Sequence, residues 1–249
     1  MTPIPPASYK AIWTLDFEFI ARDGENPVVV CLVAHEILSD IWVRIWQDKF
    51  SDPPFPLGPE TLLIAYSAAA EWSCFLALGW PMPARCIDLY AEFKRLTNGA
   101  FDGKIYPSLL AAASHYGIPT TAADHKSAMR DLIIAGGPWS SEEQQEILDY
   151  CAADVAMTSE LFRAMAHAIF QDPTTLGGAL LRGRYTCAVA RIEKNGVPVD
   201  VIALSKLRTG WDEIKLGLIA DIDQHYRVFS GTTFVTSRFE SYLTEHRIP

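Results

Sequence analysis

Residues 11–19 read AIWTLDFEF. In an extended strand alternate side chains share a face, so Asp16 and Glu18 point one way while Leu15 and Phe17 point into a core. Two carboxylates side by side on a hydrophobic strand repel one another and resist desolvation, and a divalent cation relieves both costs. The pattern also suits an edge strand with a solvated acidic face, and a second D-x-E, Asp23-Gly24-Glu25, falls in a turn. The pair therefore nominates a strand and a candidate site together, and the flanking sequence must separate the two readings.

Outward from that strand, a Gly/Asn/Pro turn at 23–27 leads to residues 28–36 and 41–46, two more strands of an antiparallel meander. SDPPFPLGPE at 51–60, with four prolines, is a loop. Residues 62–66 form a buried strand, 68–78 a helix ended by Gly79, and 84–89 a short strand entering a helix that stops near Asn98-Gly99. After Pro107 the pattern is helical, with segments around Leu109 and over 124–134 separated by Gly117-Ile118-Pro119. Ser140 and Glu143 stand at capping-box spacing and open a helix expected to run to about Phe170. Its Ile147, Tyr150, Cys151, Asp154, Thr158 and Leu161 share one face. Strands, a strand–helix unit and then helices make an α/β pattern. Residues 176–194, 201–229 and 237–246 read as tail helices, with Leu204, Leu207, Trp211, Ile214 and Leu218 on one stripe.

The composition of the 249-residue chain, 49% hydrophobic and 20% charged, excludes a disordered protein. Its longest apolar runs, 28–34 and 62–70, fall short of the ~18 residues of a membrane span, so no membrane partner is expected. The first ten residues lack a secretory core, and five scattered cysteines form no C-x-x-C pair, which together imply reduced thiols and a cytoplasmic location. The net charge of −9 argues against a protein that coats nucleic acid, though not against an enzyme that grips a few nucleotides. Residues 1–172 hold 11 Lys/Arg and 22 Asp/Glu, whereas 173–249 hold 10 and 8. The shift falls at a turn-like 171–174 and marks the expected domain boundary.

Two further features carry chemistry. Tyr150 and Asp154, four residues apart on a helix, face one site. Glu71 follows the 62–66 strand by one helical turn and can present its carboxylate near the neighbouring strand's end, while Asp88 is a second acid in that stretch. Singly, a half-buried tyrosine and two surface acids explain these residues as well. Their order does more. A strand D-x-E, a strand–helix acid and a late-helix Y-x-x-x-D resemble the tyrosine branch of the DEDD exonucleases, over residues 12–165. The resemblance implies an RNase H-like mixed sheet flanked by helices, with 1–172 as a 3′–5′ exonuclease domain and 173–249 as a mainly helical extension. Asp16 and Glu18 match the first motif and Tyr150 and Asp154 the third. Glu71 is assigned to the second, within Ser67-Ala68-Ala69-Ala70-Glu71, where the family usually has Asp in an N-A-x-F-D-like run; Asp88 is the fallback ligand.

The family implies two ions, Mg²⁺ or Mn²⁺, lying ~3.5–4 Å apart in known two-metal sites. Asp16 would bridge them, with Glu18, Glu71 and Asp154 completing the shells, and Glu18 and Tyr150 would act on the attacking water. The 3′ end of single-stranded DNA is the expected partner, gripped by local cations among which Lys104, Lys126 and Arg130 are candidates. The run RIEKNGVPVD at 191–200 resembles the helix–turn that follows the proofreading domain of family A DNA polymerases, phage-like or bacterial, so the rest of a polymerase chain is a second expected partner. No stretch matches the polymerase palm's carboxylates. Two alternatives stand beside this reading: an RNase D-like RNA-trimming exonuclease, and a catalytically decayed DNA-binding or scaffold domain.

Overall fold

The computed structural model describes residues 9–22, 24–98, 107–120 and 123–248, the side chains of 123–126 excepted. Strand β1 (Ala11–Ile20) pairs antiparallel with β2 (Val28–Glu36), which pairs antiparallel with β3 (Ile41–Trp46). On its other side β1 runs parallel to β4 (Thr61–Ala65), and β4 runs parallel to β5 (Cys86–Asp88), giving a five-stranded mixed sheet of order β3-β2-β1-β4-β5. This is the expected RNase H-like sheet with helices on both faces.

One face of β1 carries Trp13, Leu15 and Phe17 into a cluster with Trp72 and Phe75 of α1 (Ala69–Ala77). The opposite face carries Ile12, Thr14, Asp16 and Glu18 toward α5 (Ser141–Ile169), whose Leu161, Phe162 and Met165 pack with Ile12. Between them come α2 (Leu89–Leu96), α3 (Leu109–His115) and α4 (Ala123–Ala135). Helix α5 starts as its sequence dictates: the Ser140 hydroxyl accepts from the Glu143 amide, and the Glu143 carboxylate accepts from the Ser140 amide.

A buried polar network sets the register between α5 and β1. The Thr14 and Ser159 hydroxyls lie 2.6 Å apart, Ser159 is 3.0 Å from Nδ1 of His35, and His35 Nε2 is 2.8 Å from Asp40. Although Ser, His and Asp follow one another here, Ser159 is 1% exposed and donates its hydroxyl to the Val155 carbonyl, so the trio is a structural tie. As β1 advances from Thr14 to Asp16, its partner on α5 retreats from Ser159 to Cys151.

The first compact unit runs through Gly196, past the 171–174 turn, and includes α6 (Pro173–Asn195). Asp172 caps α6 by accepting from the Thr174 and Thr175 amides, and Pro173 fills its first turn. Its Thr186 accepts from the indole of Trp72, which is wholly buried, and its Arg182 pairs with the fully buried Glu92 of α2. At Gly183 an added Cβ would stand 2.1 Å from the Cys86 carbonyl oxygen, so only glycine permits this approach of helix to strand.

The second unit, Val197–Pro249, contains α7 (Val201–Tyr226), a two-stranded ladder of β6 (Phe229–Ser230) and β7 (Thr233–Phe234), and α8 (Thr236–Glu245). Helix α7 ends at Tyr226, short of the expected 229. The Asp223 carboxylate accepts from the amides of Val228 and Phe229, and Arg227 turns left-handed, so the chain leaves the helix and pairs as a hairpin. The apolar stripe expected on this helix is present, with its five residues exposed.

Candidate active site

The site lies where parallel pairing stops. The β1–β4 register ends at Thr14↔Ile64, so the last residues of β1 extend beyond β4 and a crevice opens at the carboxyl ends of the two strands. On β1's other side Glu18 pairs with Cys31 but Phe19 pairs with Val29, leaving Val30 as an extra residue in β2. Such a bulge bends a strand and re-aims its side chains, and this one follows Glu18 directly.

Glu71 fills the crevice from the α1 side. Its Oε2 accepts from the Phe17 amide at 2.8 Å, satisfying a donor that β4 no longer pairs. Residue 67, in the turn before α1, has φ of 63°, a left-handed conformation uncommon for serine. The strained turn is pinned by Asp88, whose Oδ1 accepts from both the Ser67 and Tyr90 amides at 3.0 Å. Asp88 is therefore the N-cap of α2 and the brace of the β4–α1 turn. Glu71, the acid assigned to the second motif, is the one that reaches β1.

From the other face, α5 brings Tyr150, Cys151 and Asp154. Asp154 is 9% exposed. Its charge, followed by those of Glu18 and Asp16, helps to raise the Tyr150 pKa above the ordinary phenol value, burial being the larger cause. On the other side, burial and then the charges of Asp16 and Glu18 push the Glu71 carboxyl well above the usual carboxylate range. The five residues picked from sequence thus share one electrostatic neighbourhood. Among the described residues, the donor atoms of Asp16, Glu18 and Cys151 lie within 4.8 Å of one another.

Sequence reading missed Cys151 as a member. Its thiol donates to the Asp16 carbonyl at 3.3 Å and to Asp16 Oδ2 at 3.5 Å. The available signal was its place on the same helical face as Tyr150 and Asp154. Burial keeps this thiol protonated, with its pKa well above normal, so it serves as a donor that orients Asp16.

A cleft of about 510 Å³ opens beside the carboxylates, lined by Glu18, Tyr150, Phe19, Ile133, Ile134 and Arg130. Of the three candidate cations, Arg130 lies in it; Lys104 and the Lys126 side chain fall outside the described residues. An oxygen-rich donor set with a buried glutamate in the repelling field of two acids fits a hard divalent cation.

No protein-family model and no curated protein matches the sequence. In shape the chain is similar to the apo form of a nuclease, with a TM-score of 0.57 and 14% identity over 76% of this chain and 86% of that one. Escherichia coli RNase D, an exoribonuclease involved in structured RNA processing, aligns with a TM-score of 0.48 and 16% identity over 84% of this chain and 53% of its own. Brucella melitensis NrnC with bound Mg²⁺ aligns with a TM-score of 0.49 and 9% identity over 79% and 90%. At 14% identity the first of these likenesses establishes the fold alone.

Proposed function

We propose that this chain is a metal-dependent exonuclease that hydrolyses phosphodiester bonds from the 3′ end of a single nucleic-acid strand. The observation that carries the proposal is that Asp16, Glu18, Glu71, Asp154 and Tyr150, drawn from β1, α1 and α5, share one electrostatic neighbourhood beyond the last β1–β4 pair, with Asp16 and Glu18 spaced to hold an ion. Asp16, Glu18, Glu71 and Asp154 would hold two Mg²⁺ or Mn²⁺ ions. Such ions supply an activated water and neutralise charge on the departing 3′ oxygen.

The protein's own groups do the rest. Tyr150, its phenol kept neutral by burial and nearby acids, orients the attacking water through its hydroxyl. Glu18 helps to hold that water, and the Cys151 thiol fixes the Asp16 carboxylate. Arg130 offers the cleft a cation for a phosphate, and the apolar side chains of Phe19, Ile133 and Ile134 offer a wall for a base. Glu71 has one methylene more than the expected aspartate, yet it reaches β1 from its helix, which favours an active enzyme over a decayed scaffold.

The DNA-proofreading form of this proposal rests on residues 191–200. They form the end of α6 and the turn after it, in keeping with the helix–turn they resemble. Because the chemistry spares the sugar, an RNA-trimming enzyme would use the same groups. A 5′-labelled DNA oligonucleotide should shorten stepwise with Mg²⁺ or Mn²⁺, stop with EDTA, and outpace its RNA counterpart. Faster loss of RNA would move the substrate to RNA. An intact oligonucleotide of both kinds under both metals, or normal digestion by the Asp16→Ala, Glu18→Ala double variant, would overturn the exonuclease reading itself.

A further inference from the structure

The first compact unit contains a second chemically poised group, remote in role from the carboxylates. Cys86 on β5 and Cys187 on α6 place their sulfurs 3.7 Å apart, both as free thiols. They belong to the apolar cluster that seats α6 on the sheet. Gly183, one helical turn earlier, brings α6 against the backbone of Cys86 itself. A disulfide of about 2.05 Å requires the two sulfurs, now 3.7 Å apart, to approach by about 1.7 Å.

The two sulfurs differ in access. Cys86 is 3% exposed, whereas Cys187 is 7% exposed and lines a hollow of about 400 Å³ together with Met82, Arg184 and Arg191. Cys31, Cys74 and Cys151 are all at 0%. A small neutral oxidant entering the hollow meets Cys187 first.

We propose that Cys86 and Cys187 form a peroxide-oxidisable dithiol in which Cys187 is the attacking sulfur, and that its oxidation staples α6 to the edge strand β5. The hydrogen bond it shares with Cys86, and then the charges of Arg191 and Arg184, lower the Cys187 pKa. This favours thiolate on the more accessible of the two buried sulfurs. The Cys187 thiolate attacks one oxygen of a hydroperoxide and the O–O bond breaks. With hydrogen peroxide this yields Cys187 sulfenic acid and hydroxide, which takes up the proton lost by the thiol to give water. The Cys86 sulfur then attacks the sulfenic sulfur, the S–S bond forms, and a second water leaves with the Cys86 proton. In sum two thiols are oxidised by two electrons and one hydrogen peroxide becomes two waters. The proposal does not depend on the nuclease reading.

The test treats the full 249-residue chain with hydrogen peroxide and maps its peptides without reduction. The expected product is a chain lighter by two hydrogens, with residues 86 and 187 cross-linked, reversible by dithiothreitol. Its melting temperature should rise by on the order of 10 °C. In Cys86→Ser a dione probe for sulfenic acid should label Cys187, and in Cys187→Ser it should leave Cys86 unlabelled. Failure to cross-link, prior oxidation of Cys31, Cys74 or Cys151, or an unchanged melting temperature would overturn the proposal. Should either serine variant fail to fold, limited alkylation of the unaltered chain decides the order: Cys187 must react before Cys86.

Discussion

Glu71 sits in a position where its charge is costly. It is 3% exposed, and its pKa is raised by burial first and by Asp16 next. A carboxyl whose folded pKa exceeds its unfolded value stabilises the fold fully below the unfolded pKa, and that contribution is lost as pH rises through the folded pKa. In EDTA the protein should therefore lose melting temperature from the ordinary carboxylate range upward, with each unit of displacement worth about 1.4 kcal/mol. Glu71→Gln keeps an acceptor for the Phe17 amide and removes the charge, so its melts should lack this loss while its affinity for Mn²⁺ falls. Parallel pH slopes for the two proteins would refute the assignment. Asp88→Ala should behave differently. It removes a cap and a turn brace, costing about 1–2 kcal/mol by denaturant titration whether or not metal is added. For Tyr150→Phe the ring packing stays and one hydrogen bond goes. Single-turnover cleavage should slow by roughly 10²–10⁴-fold with Mn²⁺ binding retained; wild-type rates would reduce the tyrosine to a packing residue.

At the scale of elements, α6 is part of the first compact unit's scaffold. It supplies Thr186 to Trp72 and Arg182 to Glu92, two groups fully buried in the folded chain. Gly183→Ala tests this contact, since its Cβ would meet the Cys86 carbonyl oxygen at 2.1 Å and the carbonyl carbon at 2.6 Å. Backbone cannot swing aside as a side chain can, so the helix must shift. A loss of about 1–3 kcal/mol in urea unfolding is expected, and an unchanged midpoint would mean that α6 does not seat as closely as described. The α5–β1 register is the other critical fit. Thr14, Ser159 and His35 meet in a buried network, and the same alignment brings Cys151 to Asp16.

For the whole molecule, every candidate catalytic side chain lies in the first compact unit, which ends at Gly196. A chain cut after Gly196 should melt cooperatively and retain metal-dependent cleavage of an oligonucleotide. One cut after Asp172 should aggregate or melt far lower, because it strips α6 from Trp72 and Glu92. Equal stability and activity of the two truncations, by circular dichroism and cleavage, would make α6 dispensable and restore 172 as the working boundary. Among the described residues no helix is long and apolar enough to cross a membrane.

Local sequence determined most of the elements and grouped the candidate residues along them. Strands β2 and β3 fall on 28–36 and 41–46 as their alternation and turns demand, and the Ser140–Glu143 box starts α5. Strand alternation was enough to put Asp16 and Glu18 on one face, and helical spacing enough to join Tyr150 with Asp154. Both are short-range periodicities set by backbone geometry. The tertiary structure gave Glu71 and Asp88 different partners, one an unpaired strand amide and the other a helix start and the β4–α1 turn. It also added Cys151, kept α6 with the sheet, and ended α7 at Tyr226 through the Asp223 carboxylate. These outcomes depend on groups far apart in the chain meeting at one point, and nothing in a local period encodes which distant donor or acceptor a side chain will find.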